Sequence, residues 1–247
     1  MHRRFLIALV LLTVVVPTYA GLVTYYEDDF TSPTPNPAWT VWGTGTYNLT
    51  GSNLEFTTQQ GDLLRAFQPL YGVPKHLFLI TPPPGSSQWS AVTRVRYNTP
   101  NLQHQQVDLV AFQDQNTYLK FDYQHSGGAT QVHALLTEYG STGVEHDFAT
   151  PTHTSYFWMR VDRNGNTYTA YVSESPTTNP DLVAWTLQGS LTSLLADPQV
   201  GIGGWNAEAI PGQLAEFDYF RIQVPEPATL TLLAAVALTG VGRRRGE

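Results

Sequence analysis

The 247-residue chain has no cysteine, which excludes a disulfide frame, a thiolate metal site and a cysteine nucleophile. It is also poor in charge: 13% of its residues are Asp, Glu, Lys or Arg, while 42% are hydrophobic. Such a chain has the apolar surface for a core and is not disordered by composition. Positive charge is scarcer still. Residues 21 to 224 hold 2 Lys and 6 Arg against 11 Asp and 7 Glu, a formal charge of −10. No basic surface is available to neutralise phosphates, so the protein is not expected to bind nucleic acid. A phosphate loop, a dinucleotide fingerprint and a Ser-His-Asp order are also missing. The lack of disulfides is compatible with export, because a body of about 200 residues buries enough surface to fold without them.

Both ends read as addresses. Met1-His2-Arg3-Arg4 is basic, Phe5 to Val16 is apolar apart from Thr13, and small residues stand at Thr18 and Ala20. This is the pattern of a secretory signal peptide, residues 1–20, entering the Sec pathway as a short helix and cut after Ala20. The apolar run is too short for the ~20 residues that span a bilayer. At the other end Val224-Pro225-Glu226-Pro227 is followed by an uncharged stretch, 228–242, and by Arg243-Arg244-Arg245. These three parts resemble the PEP-CTERM sorting signal of exopolysaccharide-producing Gram-negative bacteria. The resemblance implies that residues 225–247 form a sorting segment, with recognition of Pro225, Glu226 and Pro227 by an exosortase. It also implies release or transfer to the outer surface or extracellular matrix. The apolar helix 228–242 would associate transiently with the membrane, its arginines held on the cytoplasmic side. A plain tail anchor is the competing reading, for which the apolar stretch is short.

Between the ends the apolar pattern has period two and is broken by turn residues every ~8–12 positions, the signature of an all-β domain. In Trp89 to Tyr97, Trp89, Ala91, Val95 and Tyr97 share one face, opposite Ser90, Arg94 and Arg96. Thr117–Gln124 and Thr130–Glu138 read as strands around Gly127-Gly128, and Tyr156–Asp162 and Thr167–Glu174 as strands around Asn164-Gly165. Further strands are expected at Leu54–Thr58, Leu63–Phe67, Leu77–Thr81, Val107–Gln113, Val183–Leu187, Val200–Trp205 and Leu214–Val224. So many short antiparallel strands predict a single two-sheet sandwich over residues 21–224. Five segments occur in the order of a concanavalin A-like jelly roll. They are Glu27-Asp28-Asp29-Phe30, Asn116 to Lys120, Met159 to Tyr171, Val200 to Gly203 and Glu216 to Ile222. The body therefore resembles the concanavalin A-like lectin/glucanase domains, and especially the C-terminal sandwich of family 43 glycoside hydrolases.

Three groups of residues are candidates for chemistry. Glu216, Asp218 and Phe220 alternate along the last strand. In glucanases that the body resembles, such a strand carries three acids, but here Phe220 and Arg221 take the third place. A glycosidase needs two carboxyl groups facing each other across the scissile bond. No second acidic strand stands out, so no catalytic residue is assigned. Asp28, Asp29 and Asp218 are instead expected to meet where the first and last strands lie side by side, with Glu216 solvated. Clustered carboxylates in so acidic a body need a neutraliser, either backbone N–H groups or a structural Ca²⁺. Among the aromatics, Trp89, Trp158 and Trp185 are expected in the core, whereas Trp42, Trp205 and the adjoining Asn206 are the candidates for a carbohydrate surface. The histidines of the body show no metal motif. Asp122 and His133 are expected to face each other across a hairpin, as a charge pair rather than a metal site.

The expected function is a non-catalytic, surface-directed sandwich that binds carbohydrate or packs into an extracellular polysaccharide matrix. A glycoside hydrolase of the same fold is the alternative, and a structural matrix protein without ligand the third reading.

Overall fold

The computed structural model describes residues 21–64, 66–126, 131–139, 142–149 and 152–226. The expected signal peptide, the tip of the Gly127-Gly128 hairpin, Pro227, the apolar stretch 228–242 and Arg243 to Arg245 lie outside the described residues. The strands are β1 (Leu22–Asp28), β2 (Thr40–Trp42), β3 (Asn48–Leu49), β4 (Leu54–Thr57), β5 (Leu77–Ile80), β6 (Gln88–Tyr97), β7 (Gln106–Asp114) and β8 (Thr117–His125). They continue with β9 (Gln131–Tyr139), β10 (Thr142–Ala149), β11 (Tyr156–Asn164), β12 (Thr167–Ser173), β13 (Thr186–Thr192), β14 (Gln199–Trp205) and β15 (Leu214–Pro225). One sheet runs β13-β12-β11-β6-β15-β4-β3 with β1 added along β15, and the other runs β10-β9-β8-β7-β14-β5-β2. All these pairings are antiparallel, giving the expected all-β two-sheet sandwich. Among the described residues no helix is long and apolar enough to cross a membrane.

The alternation read from the sequence builds the core. Trp89, Ala91, Val95 and Tyr97 of β6 are buried in one cluster with Val107, Leu109 and Ala111 of β7 and Leu119, Phe121 and Tyr123 of β8. The terminal strands lie side by side as expected, from Leu22 opposite Pro225 to Asp28 opposite Phe220.

Several expected elements differ. In the expected strand Leu63–Phe67, the described residues Leu63, Leu64, Ala66 and Phe67 are not in a strand: the Asp62 carboxylate accepts the Leu64 N–H at 2.7 Å and bends the chain into a turn. One helical turn, Gln68–Tyr71, follows. Val183–Leu187 is not a strand either: β13 begins only at Thr186, after a short 3-10 turn at Pro180–Leu182. The hairpin between β11 and β12 turns on Gly165-Asn166, with Gly165 at φ 61°, and Asn164 is the last strand residue. In the β8/β9 hairpin His133 lies opposite Tyr123, while Asp122 lies opposite Ala134. Asp122 and His133 are therefore one position out of register, and their side chains leave opposite faces of the sheet.

Candidate functional site

The expected acidic cluster dissolves into separate arrangements. A β-bulge between Phe217 and Tyr219 shifts the register of β15 against β6. Two successive residues, Asp218 and Tyr219, are thereby turned away from the core, and Phe220 returns to it fully buried. Phe220 thus does not share a face with Glu216 and Asp218, contrary to simple alternation. Asp218 meets Arg94 at 2.7 Å, and Glu216 is held by both ends of the Arg96 guanidinium fork. Glu216 is buried rather than solvated. Burial pushes the Asp218 carboxyl up to about 6, with Arg94 opposing the shift. Asp28 accepts from the Phe30 N–H at 2.8 Å, the Trp39 indole N–H at 2.9 Å and the Tyr26 hydroxyl at 3.0 Å. Asp29 caps Thr31, accepting from its backbone N–H and its hydroxyl. The three aspartates take separate partners. Backbone, indole and hydroxyl donors serve one end, an arginine serves the other, and no group of three or more His, Asp or Glu suited to a metal ion occurs among the described residues.

The expected carbohydrate residues are also placed differently. Trp205 is only 2% exposed, and Asn206 is fully buried. The Asn206 amide donates to the carbonyls of Thr58 and Ile210 and its oxygen accepts from the Glu208 N–H, so it braces loops. Trp42 is half-buried against Phe112, with ring centroids 5.4 Å apart. Trp89 and Trp158 are buried as expected, whereas Trp185 is only partly so.

A cleft of about 220 Å³ opens instead on the face of the second sheet turned away from the core. Its floor follows from strand alternation: Gln106 and Asp108 on β7 share a face, as do Tyr118, Lys120, Asp122 and Gln124 on β8. Asp108 and Asp122 stand directly opposite each other and are fully buried. Lys120 reaches over this pair, with Nζ 2.8 Å from Asp122, in contact with the Gln106 side-chain oxygen and 5.6 Å from the centre of the Trp205 ring. Burial alone would drive its proton off, but Asp122 and Asp108 outweigh that and hold the ammonium above the ordinary lysine range. Burial also pushes Asp122 up to about 6, and it raises Asp108, neither of whose oxygens has a hydrogen-bond partner, well above the ordinary carboxylate value. Gln124 donates to Glu145 at 2.9 Å. Glu138 and Glu145 rise from β9 and β10, and Asp62, Phe67 and Tyr71 close the cleft from the turn that replaced the expected strand. Phe67 is 46% exposed and lies 6.3 Å from Tyr71, centroid to centroid. Of the candidate residues singled out in the sequence only Trp205 lines this cleft; the rest of the site was missed. The acids Asp108 and Asp122 were visible, but only the β7/β8 register sets them opposite each other.

On the core side, His133 Nδ1 donates to the Asp122 carbonyl at 3.0 Å. Its Nε2 lies 2.9 Å from His153 Nε2, and His153 Nδ1 lies 2.8 Å from Glu174. Burial, then the neighbouring His153, push His133 down to about 3, so its ring is neutral and accepts the proton of His153. This chain ties β9 to the segment before β11 and to the end of β12.

Residues 223–245 match the PEP-CTERM protein-sorting motif. Solved structures similar to the sandwich include a GH43 protein from Bacillus licheniformis, at 15% identity and a TM-score of 0.60, covering 79% of this chain and 38% of that one. A xylan beta-1,4-xylosidase from Bacillus halodurans C-125 aligns at 14% identity and a TM-score of 0.62, over 79% of this chain and 38% of its own. The CBM2 module of the evolved Dit of Lactobacillus casei BL23 phage J-1 aligns at 11% identity and a TM-score of 0.57, covering 85% of this chain and 99% of the module. The chain thus spans about two fifths of the first two proteins. No curated protein matches it. The protein is a two-sheet jelly-roll sandwich similar in fold to the sandwich of GH43 proteins, and it carries a PEP-CTERM sorting motif at its C-terminal end.

Proposed function

We propose that this is an exported, surface-directed, non-catalytic protein that binds polysaccharide in the cleft over β7, β8 and β9. The observation that carries the reading is the mixture lining that cleft: amides at Gln106 and Gln124, carboxylates at Glu138 and Glu145, and aromatic rings at Phe67 and Tyr71. Sugar hydroxyls need paired donors and acceptors, sugar C–H faces need rings, and a concave site supplies both from fixed strands. A CBM2 module among the structural neighbours is in keeping with this. The non-catalytic part rests on the strand that carries the acids in the glucanases the body resembles: here Glu216 and Asp218 are committed to arginines and Phe220 is buried in the core. The sorting motif implies processing by an exosortase, which would bring the cleft to the outer surface or matrix of a Gram-negative cell.

A glycan-array screen of the full chain tests the reading. Binding to at least one polysaccharide is expected, weakened roughly tenfold or more by Phe67→Ala or Tyr71→Ala. An empty array would favour a structural matrix protein. Reducing-end release from xylans, arabinans or β-glucans that disappears in Glu138→Gln would make the protein an enzyme.

A further inference from the structure

The charge of the cleft bears on which glycan it takes, and this step rests on the proposed binding at that site. Asp62, Glu138 and Glu145 line it, and Asp108 and Asp122 rise from the same face of the sheet below. Lys120 is the lining ammonium, and it is already engaged by Asp122 and Gln106. None of the three lining carboxylates forms an ion pair with a Lys or Arg among the described residues. Asp108 is fully buried on the cleft side, and neither of its oxygens meets a donor. A concave site concentrates such a field, so it repels anions and draws cations.

We infer that the cleft selects a cationic glycan, one whose sugars carry free amino groups, over its N-acylated or uronic acid counterparts. An ammonium in place of one ring hydroxyl would stand among Glu138, Glu145 and Asp62 as a counter-ion that none of the three meets among the described residues, while the amides and the rings of Phe67 and Tyr71 hold the rest of the sugar. A uronate would set a further carboxylate against them. An N-acetyl group would remove the charge and leave the carboxylates without a counter-ion.

The experiment is calorimetric titration of the full chain with three oligosaccharides of equal length: a glucosamine hexamer, its N-acetylated form and an oligoglucuronate. The expected result is binding of the glucosamine hexamer at least about tenfold tighter than the acetylated form, no binding of the glucuronate, and weakening of the first as salt rises. Glu138→Gln with Glu145→Gln should abolish the preference while leaving the melting temperature unchanged. If that pair fails to fold, Glu138→Gln alone should at least halve the preference. Equal binding of the acetylated and free hexamers, or tighter binding of the glucuronate, overturns the charge selection and leaves the glycan reading standing. Binding of none of the three, with a neutral glycan found on the array, does the same. Absence of any glycan ligand overturns both.

Discussion

Asp108 shows how one buried side chain sets a measurable pH dependence. Its carboxyl faces Asp122 across the β7/β8 ladder without a donor, so burial and like charge both favour its protonated form. For carboxyls raised above the unfolded 3.8, as Asp122 and Asp218 are to about 6, the penalty is fully present above pH 6 and is relieved as pH falls towards 4. His133, lowered to about 3, acts oppositely: it costs nothing above the unfolded 6.5, and destabilises progressively as pH falls from there towards 3, because the unfolded imidazole takes up a proton that the buried ring refuses. Asp108→Asn should therefore raise stability at pH 7.5, because the amide carries no charge for burial to penalise. The gain should shrink towards pH 4, as urea unfolding at the two pH values would show. The Arg94–Asp218 pair is a separate case, since it lies largely out of water beside Tyr156. Asp218→Ala leaves the guanidinium without its carboxylate and should cost about 1 to 3 kcal/mol. A chelator should leave the melting temperature of the parent and the variant unchanged, because Asp28 and Asp218 already have protein partners.

At the scale of the strand, β14 is made for close approach. Gly201 stands between Val110 on β7 and Leu79 on β5, and a Cβ built on it would come within 1.8 Å of the Phe78 carbonyl oxygen. That atom is backbone and cannot swing aside. Gly201→Ala should consequently displace β5 and cost about 3 kcal/mol or more, readable as a fall in the urea midpoint. Alanine at Gly165, where the φ of 61° strains any side chain but no neighbour is near, should cost only about 1 kcal/mol. The bulge in β15 is the other device at this scale. It lets one strand serve Arg94 with Asp218 on its outer face and still return Phe220 and Ile222 to the core.

For the molecule as a whole, the β1/β15 pairing carries the ladder to the edge of the sorting segment. Leu22 lies opposite Pro225. Pro225 is the last residue of β15, so a deletion that begins there trims the sheet. A chain ending at Glu226 should melt within a degree or two of the parent, yet lose exosortase-dependent processing. Fractionation and mass measurement in a host with an exosortase would check this, and equal mature mass and location for both chains would count against the sorting role.

What the sequence determined by itself was whatever depends on neighbours along the chain. The all-β class, the inward set Trp89, Ala91, Val95 and Tyr97, and the three-part C-terminal signal all follow from local alternation or local composition. The adjacency of the end strands came with the resemblance. Only the tertiary structure decided the site, because a cleft is made by residues distant in sequence. A one-residue register separates Asp122 from His133 and sets it against Asp108. A bulge hands Asp218 to Arg94. The turn at Asp62 converts an expected strand into the wall that carries Phe67 and Tyr71, while Trp205 and Asn206 sink beneath the surface that their loop-like context suggested. Period two tells which face a residue takes, but not what stands opposite it; that is set by pairing across strands, which the chain settles only when both sheets close on one core.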